Sequence, residues 1–155
     1  MSNVQLGQAI PAFSLEATSE TTITADSLKG HNTVIYFYPK DSTPGCTTEG
    51  QNFRDSIAEF EAANTVIYGA SPDSLKSHEN FKGKQEFPFE LISDPDKVLA
   101  EIFGVWQLKK NYGREYMGIV RSTFLIDANG VLKEEWRNIR VKGHVEKVLE
   151  AAQAL

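Results

Sequence analysis

The residues able to do chemistry are concentrated in Pro39-Lys40-Asp41-Ser42-Thr43-Pro44-Gly45-Cys46-Thr47-Thr48-Glu49, which holds the only cysteine of the chain. A short β-branched and aromatic run, Val34 to Tyr38, precedes it, and apolar Phe53, Ile57 and Phe60 follow at helical spacing. The pattern predicts a strand-to-helix connection that delivers a thiol to the first turn of a helix. The thiolate is the nucleophile, and helix N-terminal amides with a nearby cation favour it over the thiol. A lone cysteine is often only a small buried hydrophobe. Cys46, however, falls in a Thr-Pro-Gly turn outside the apolar stripe, where core packing explains it poorly.

Acyl transfer would pair this thiolate with a histidine base. His31, His78 and His144 each fall at an apparent loop or helix edge with no oriented partner in view, which weakens that reading. Attack on an O–O bond needs no base once the thiolate exists. It needs donors for the charge that builds on the departing oxygen. Thr43 offers a hydroxyl, the amides of Gly45 and Cys46 can point the same way, and Pro44, which has no N–H, helps fix the turn that aims them. No phosphate-cradling glycine motif and no Cys or carboxylate-histidine cluster of ligand spacing is present, so neither a metal nor a cofactor is expected.

The elements that must hold this loop alternate along the chain. Val34–Tyr38 reads as a central strand buried on both faces, and the stretch through Phe53, Ile57 and Phe60 as one amphipathic helix. Thr65 to Ala70 reads as a strand, Pro72 to about Lys84 as a helix, Phe89 to Ile92 as a short strand and Pro95 to Phe103 as a helix. Ser122–Ile126 and Val131–Trp136 flank Asp127-Ala128-Asn129-Gly130, whose Asn-Gly step suits an antiparallel hairpin through positive φ angles. A terminal helix runs from His144, and Phe13–Leu15 with Thr22–Thr24 forms a small N-terminal hairpin. The fold class that follows is α/β, a central mixed sheet flanked by helices.

The chain has 155 residues, which fits one domain spanning 1–155, and its 41% hydrophobic and 24% charged residues exclude intrinsic disorder. With 16 Lys and Arg against 21 Asp and Glu, the net charge of −5 has the wrong sign for gripping nucleic acid or an anionic membrane. Lys109-Lys110 and the cluster from Arg137 to Lys142 read as solvated edges. The longest apolar run is far below the roughly 20 residues of a membrane span. One cysteine and no secretory leader pattern fit a reducing, cytoplasmic setting. Trp106, Tyr112 and Met117, between a helix and a strand, read as core or rim packing.

The spacing Pro39-x3-Thr43-x2-Cys46 resembles the active-site signature of the peroxiredoxins. Val34 to Lys40, Thr43 to Thr47 and Gly118 to Asp127 are similar to the Q-type, or bacterioferritin comigratory protein, branch, and the likeness spans nearly the whole chain. The resemblance implies a thioredoxin-like fold and thiol-dependent reduction of hydrogen peroxide or organic hydroperoxides through a Cys46 sulfenic acid. It further implies that Pro39 shields the sulfur, Thr43 hydrogen-bonds the peroxide and Arg121 stabilises thiolate and transition state. Gly45 and Glu49 would complete the substrate site, Glu49 bracing the arginine. Taken alone, Arg121 is a strand-edge residue snorkelling to water and Glu49 a surface acid favouring the helix dipole.

Many relatives of this branch carry a second, resolving cysteine, at positions matching Gln51 or Lys82 here, and this chain has neither. The expected turnover is therefore a one-Cys scheme in a monomer, recycled by glutathione, a glutaredoxin or a thioredoxin. Two other classes remain as rivals: a redox-sensing module that passes oxidation to a partner protein, and a Cys-dependent acyl transferase.

Overall fold

The computed structural model describes residues 3–155. β1 (Ser14–Ala17) and β2 (Thr21–Thr24) form the N-terminal hairpin, and a short 3-10 turn over Ala25–Leu28 leads into β3 (Asn32–Phe37). There follow α1 (Pro44–Asp55), α2 (Ile57–Ala62), β4 (Thr65–Ser71), α3 (Leu75–Gln85), β5 (Glu90–Ser93) and α4 (Val98–Ile102). The chain continues through β6 (Trp106–Asn111), β7 (Arg114–Ile119), β8 (Ser122–Ile126), β9 (Leu132–Trp136) and α5 (His144–Gln153).

Seven strands form one sheet in the order β2-β1-β5-β4-β3-β8-β9. β3, β4 and β5 run parallel, whereas β8 pairs antiparallel with β3 and β9 with β8, so the sheet is mixed as expected. β3 lies at its centre, and strand alternation sends its side chains into two separate cores. Ile35 and Phe37 join Leu28, Leu99, Phe103 and Phe124 on one face. Val34, Tyr36 and Tyr38 join Phe53, Phe60, Phe81 and Val148 on the other. Each fully buried Phe or Ile contributes about 1.5–3 kcal/mol, which is why β3 reads as an unbroken apolar run rather than an alternating one.

Several boundaries differ from the sequence reading. The single helix expected through Phe53, Ile57 and Phe60 breaks at Ser56, whose φ of −105° and ψ of 9° separate α1 from α2. α3 starts at Leu75 rather than Pro72, because Ser74 takes the N-cap position and its hydroxyl accepts the Ser77 amide. α4 starts at Val98, with Lys97 left-handed at φ 60° and the Asp94 carboxylate accepting the Ala100 amide. At the β8–β9 turn only Gly130 takes a positive φ; Asn129 does not, because the Asp127 carboxylate holds the amides of Asn129 and Val131.

The hairpin β6–β7 was not anticipated. It stands outside the main sheet and turns at Tyr112 and Gly113, with φ of 52° and 78°. Two successive positive-φ residues between the paired Asn111 and Arg114 are the turn that matches the strand twist. Tyr112 is almost wholly exposed, and Leu108, Tyr116 and Met117 are also exposed, so Tyr112 and Met117 are not packed as expected, whereas half-buried Trp106 does pack against the core.

Candidate active site

The loop after β3 brings the sequence-singled residues to one place. Pro44 occupies the first helical position of α1, where its missing N–H costs nothing, and Thr43 precedes it in an extended conformation with φ −84° and ψ 156°. Cys46 is therefore the third residue of the helix. The amides of Gly45 and Cys46 have no intrahelical acceptor and lie at the positive end of the helix dipole. The Thr43 hydroxyl does not cap the helix; it donates to the Lys40 carbonyl at 2.8 Å, leaving its lone pairs as the free function of that oxygen.

Cys46 does not sit outside the apolar packing, as its turn context implied. Cys46, Glu49, Gly50 and Phe53 form the buried face of α1, at i, i+3, i+4 and i+7, and the thiol is 1% exposed among aromatic neighbours of the Tyr36 and Phe53 cluster. The polar Glu49 and the small Gly50 hide that stripe from a reading based on apolar residues. The sulfur is not enclosed by hydrocarbon alone, because Arg121 Nη2 lies 3.2 Å from Sγ.

Arg121 occupies the two-residue step between β7 and β8, and its carbonyl accepts the Ile139 amide at 3.0 Å, which ties that step to the segment after β9. The guanidinium does not snorkel to water. Nη1 donates to Glu49 Oε1 at 2.7 Å while Nη2 faces the sulfur. Glu49, which taken alone reads as a surface acid and by resemblance as the brace of Arg121, is fully buried against that arginine, and burial outweighs the neighbouring guanidinium to push its carboxyl up to about 7. Its second oxygen, Oε2, and the hydroxyl of Tyr36 are buried without a hydrogen-bond partner. Burial also makes the Tyr36 phenol harder to ionise, with the negative groups at Glu49 and Cys46 adding to the effect. Gly45 closes the arrangement: a Cβ there would stand 3.3 Å from Arg121 Nη2. Pro39 and Arg121 both line an open groove of about 460 Å³ beside β6.

The histidines do have partners, contrary to the sequence reading, but none of their hydrogen bonds reaches Cys46. His144 Nε2 bonds the Thr123 hydroxyl at 2.7 Å, and burial, with Lys147 and Arg121 adding to it, lowers the ring to about 4. His78 Nδ1 meets Asp41 Oδ2 at 2.7 Å and its Nε2 meets the Ile92 carbonyl at 2.9 Å. Asp41 also accepts from the Tyr38 and Ser77 hydroxyls, both at 2.7 Å, and its amide donates to Asp73. This network, which sequence reasoning missed, anchors the loop five residues before Cys46 to the start of α3. Asp41, Asp73 and His78 have metal-ligand geometry, but their ligand atoms are spent on one another and on the flanking hydroxyls.

Residues 6–135 match the AhpC/TSA family. Peroxiredoxin Bcp of Bacillus subtilis is 50% identical over 147 residues, covering 95% of this chain and 94% of that protein. Among solved structures, PrxQ from Xylella fastidiosa aligns with a TM-score of 0.92 at 39% identity, over 99% of this chain and 98% of that one. The Xanthomonas campestris bacterioferritin comigratory protein, solved in trapped intermediate and ligand complexes bearing on its alkyl peroxide reduction activity, aligns with a TM-score of 0.90 at 44% identity, over 99% and 98%.

Proposed function

This chain belongs to the AhpC/TSA family, in its Bcp/PrxQ peroxiredoxin branch, and from that premise we propose how its residues reduce hydroperoxides with thiol electrons. The observation that carries the assignment of roles is the 3.2 Å approach of the Arg121 guanidinium to the Cys46 sulfur. The Cys46 thiolate attacks the terminal oxygen of ROOH; the S–O bond forms as the O–O bond breaks, leaving Cys46 as a sulfenic acid and an alkoxide that takes a proton to become ROH. Arg121 and the amides of Gly45 and Cys46 stabilise the charge shared by the entering sulfur and the leaving oxygen. Thr43, whose hydroxyl proton is committed to Lys40, accepts the hydrogen bond of the peroxide O–H. Pro39 limits water at the sulfur, and Glu49 holds the guanidinium in place from below.

With one cysteine in the chain, the sulfenic acid is reduced by external thiol in a one-Cys scheme, and the reductant is a low-molecular-weight thiol, a glutaredoxin or a thioredoxin. The protein acts as a monomer in the cytoplasm, and residues 1–155 form one thioredoxin-like domain. The Ala9–Val131 bridge and the Gly7 amide bonded to the Leu132 carbonyl, which join the start of the chain to β9, support that unity. Among the described residues no helix is long and apolar enough to cross a membrane. The test is peroxide consumption with a reducing thiol by the protein and by Cys46→Ser. Turnover is expected to vanish in the variant, because a serine hydroxyl stays protonated at neutral pH. Equal consumption by both proteins would reject the proposal.

A further inference from the structure

We propose that Cys46 and Glu49 share one labile proton across Arg121, so that Glu49 carries it while the sulfur is a thiolate and gives it up when the sulfur becomes a sulfenic acid. This rests on the peroxidase reading above and deepens it, by naming where the site keeps the proton equivalent that the departing alkoxide requires.

Arg121 faces two acids at once. Nη1 donates to Glu49 Oε1 at 2.7 Å, and Nη2 donates to the Cys46 sulfur at 3.2 Å. The guanidinium is always cationic and supplies one positive charge. With thiolate and carboxylate both ionised, a negative charge would be left uncompensated where Glu49 is fully buried and Cys46 nearly so, and burying an unpaired charge is costly. One acid is therefore ionised while the other holds a proton, and the two titrate as a pair.

The partners of Glu49 are those of a protonated acid. Oε1 accepts from Arg121, but Oε2 is buried with no donor facing it. An ionised carboxylate needs hydrogen bonds on both oxygens once it is removed from water, whereas a proton on Oε2 turns that atom from acceptor into donor. The Tyr36 hydroxyl on β3 is likewise buried and without a partner. After burial itself, the charge of Glu49 is the strongest influence on that phenol, ahead of Cys46, Asp41 and Arg121. Burial, working against Arg121, also raises the Glu49 carboxyl to about 7.

The neighbouring titratable groups have other commitments. On α5, His144 is lowered to about 4 by burial, with Lys147 and Arg121 adding to it, so its ring stays neutral. In the loop after β3, the Asp41 carboxylate is engaged by Tyr38, Ser77 and His78.

Oxidation removes the reason for the proton to stay. As the S–O bond forms and the O–O bond breaks, the negative charge of the sulfur departs on the alkoxide, and Arg121 keeps Glu49 as its counter-charge. Glu49 then ionises. Thiolate, protonated Glu49 and ROOH become sulfenic acid, ionised Glu49 and ROH, with no net proton drawn from the buffer. Glu49 acts through Arg121 rather than on the peroxide, and the proton is exchanged through water. Reduction by two thiols, which yields a disulfide and water, restores the thiolate and the protonated carboxyl.

The experiment follows one turnover with hydrogen peroxide in weakly buffered solution, with an indicator dye reporting protons and mass measurement reporting the sulfenic acid. It compares the protein with Glu49→Gln, which keeps an acceptor for Arg121 but holds no labile proton, at the lowest pH at which ultraviolet absorbance shows Cys46 of both as thiolate. At completion, close to no proton is expected to be taken up per sulfenic acid by the protein, and about one by the variant. A carboxylate that only braces the guanidinium predicts one proton for both. Should the variant fold poorly, the infrared difference spectrum of the unaltered protein carries the test: a protonated-carboxyl C=O band is expected to disappear on oxidation, and an unchanged spectrum there would overturn the proposal. Equal uptake in the two proteins, whether none or one, would overturn it too. Failure of the unaltered protein to form a sulfenic acid at all would instead overturn the peroxidase reading.

Discussion

Arg121 and Cys46 lie 75 positions apart in the chain, and in the fold Nη2 of one stands 3.2 Å from Sγ of the other. The pairing of β3 with β8 in antiparallel register makes this meeting unavoidable: Phe37 faces Ser122, so the residue before Ser122 sits beside the loop that leaves Phe37. Glu49, one turn beyond Cys46 on the same helix face, then takes the other arm of the guanidinium.

Replacing Arg121 by Ala removes the donor nearest the reacting atoms. The expected loss is about 2–4 kcal/mol of transition-state stabilisation, read as a fall of about 30- to 1000-fold in kcat/KM for hydroperoxide. Thr43→Val, which removes the acceptor for the peroxide proton, should fall in the same range. A change below threefold in either variant contradicts its role.

Glu49 should leave a signature in stability against pH. Its carboxyl is raised from the ordinary 4.5 to about 7 by burial. Below about pH 4.5 it is protonated in folded and unfolded chains alike, and its favourable contribution is whole. As pH rises toward 7 the unfolded chain releases the proton first, so stability drains, at a slope of up to about 1.4 kcal/mol per pH unit, and this contribution is lost above 7. Urea unfolding across this window should show the decline in the protein and a flatter profile in Glu49→Gln; identical slopes would contradict it.

The two glycines of α1 should respond in opposite ways. Gly45→Ala places a methyl 3.3 Å from Arg121 Nη2. That displacement of the guanidinium should lower the rate of Cys46 oxidation several-fold, while the thermal midpoint stays level or rises because Ala favours the helix. Gly50→Ala would drive its methyl to 2.3 Å from Phe87 Cζ in the packed core. It should cost about 1–3 kcal/mol of stability with the folded fraction still active. Calorimetry and single-turnover oxidation on both variants check the contrast.

Asp41→Ala should be the most destabilising of these changes. It strands the Tyr38 hydroxyl and His78 Nδ1 in the interior, at about 1–3 kcal/mol for each unsatisfied group, and removes the acceptor of the half-buried Ser77 hydroxyl. It also frees the loop leading to Thr43 from α3. A denaturation midpoint within experimental error of the parent would contradict this view of the network.

Much of this arrangement was legible in the sequence, for reasons specific to each residue. Val34 to Tyr38 announced the central strand because both its faces are buried, and Pro44 before Gly45-Cys46 marked a helix start. Partnerships between distant segments were not legible from periodicity. Arg121 looked like an edge residue and Glu49 like a surface acid because each finds its partner on a distant element, α1 for the arginine and the β7–β8 step for the acid. His78 appeared partnerless because Asp41, Ser77 and the Ile92 carbonyl reach it from three elements. The β6–β7 hairpin escaped notice because its exposed Leu108, Tyr116 and Met117 break the alternation a strand normally shows, and its turn is Tyr-Gly rather than Asn-Gly.

The central claim is that the guanidinium makes the Cys46 sulfur a peroxide nucleophile. One equivalent of hydrogen peroxide, followed by rapid quenching and mass measurement of the intact chain and of its proteolytic peptides, tests it directly in the protein and in Arg121→Gln. The account predicts fast gain of a single oxygen, confined to the Cys46 peptide, and a rate at least about tenfold slower in the variant. Oxygen appearing elsewhere in the chain, or equal rates in the two proteins, would contradict it.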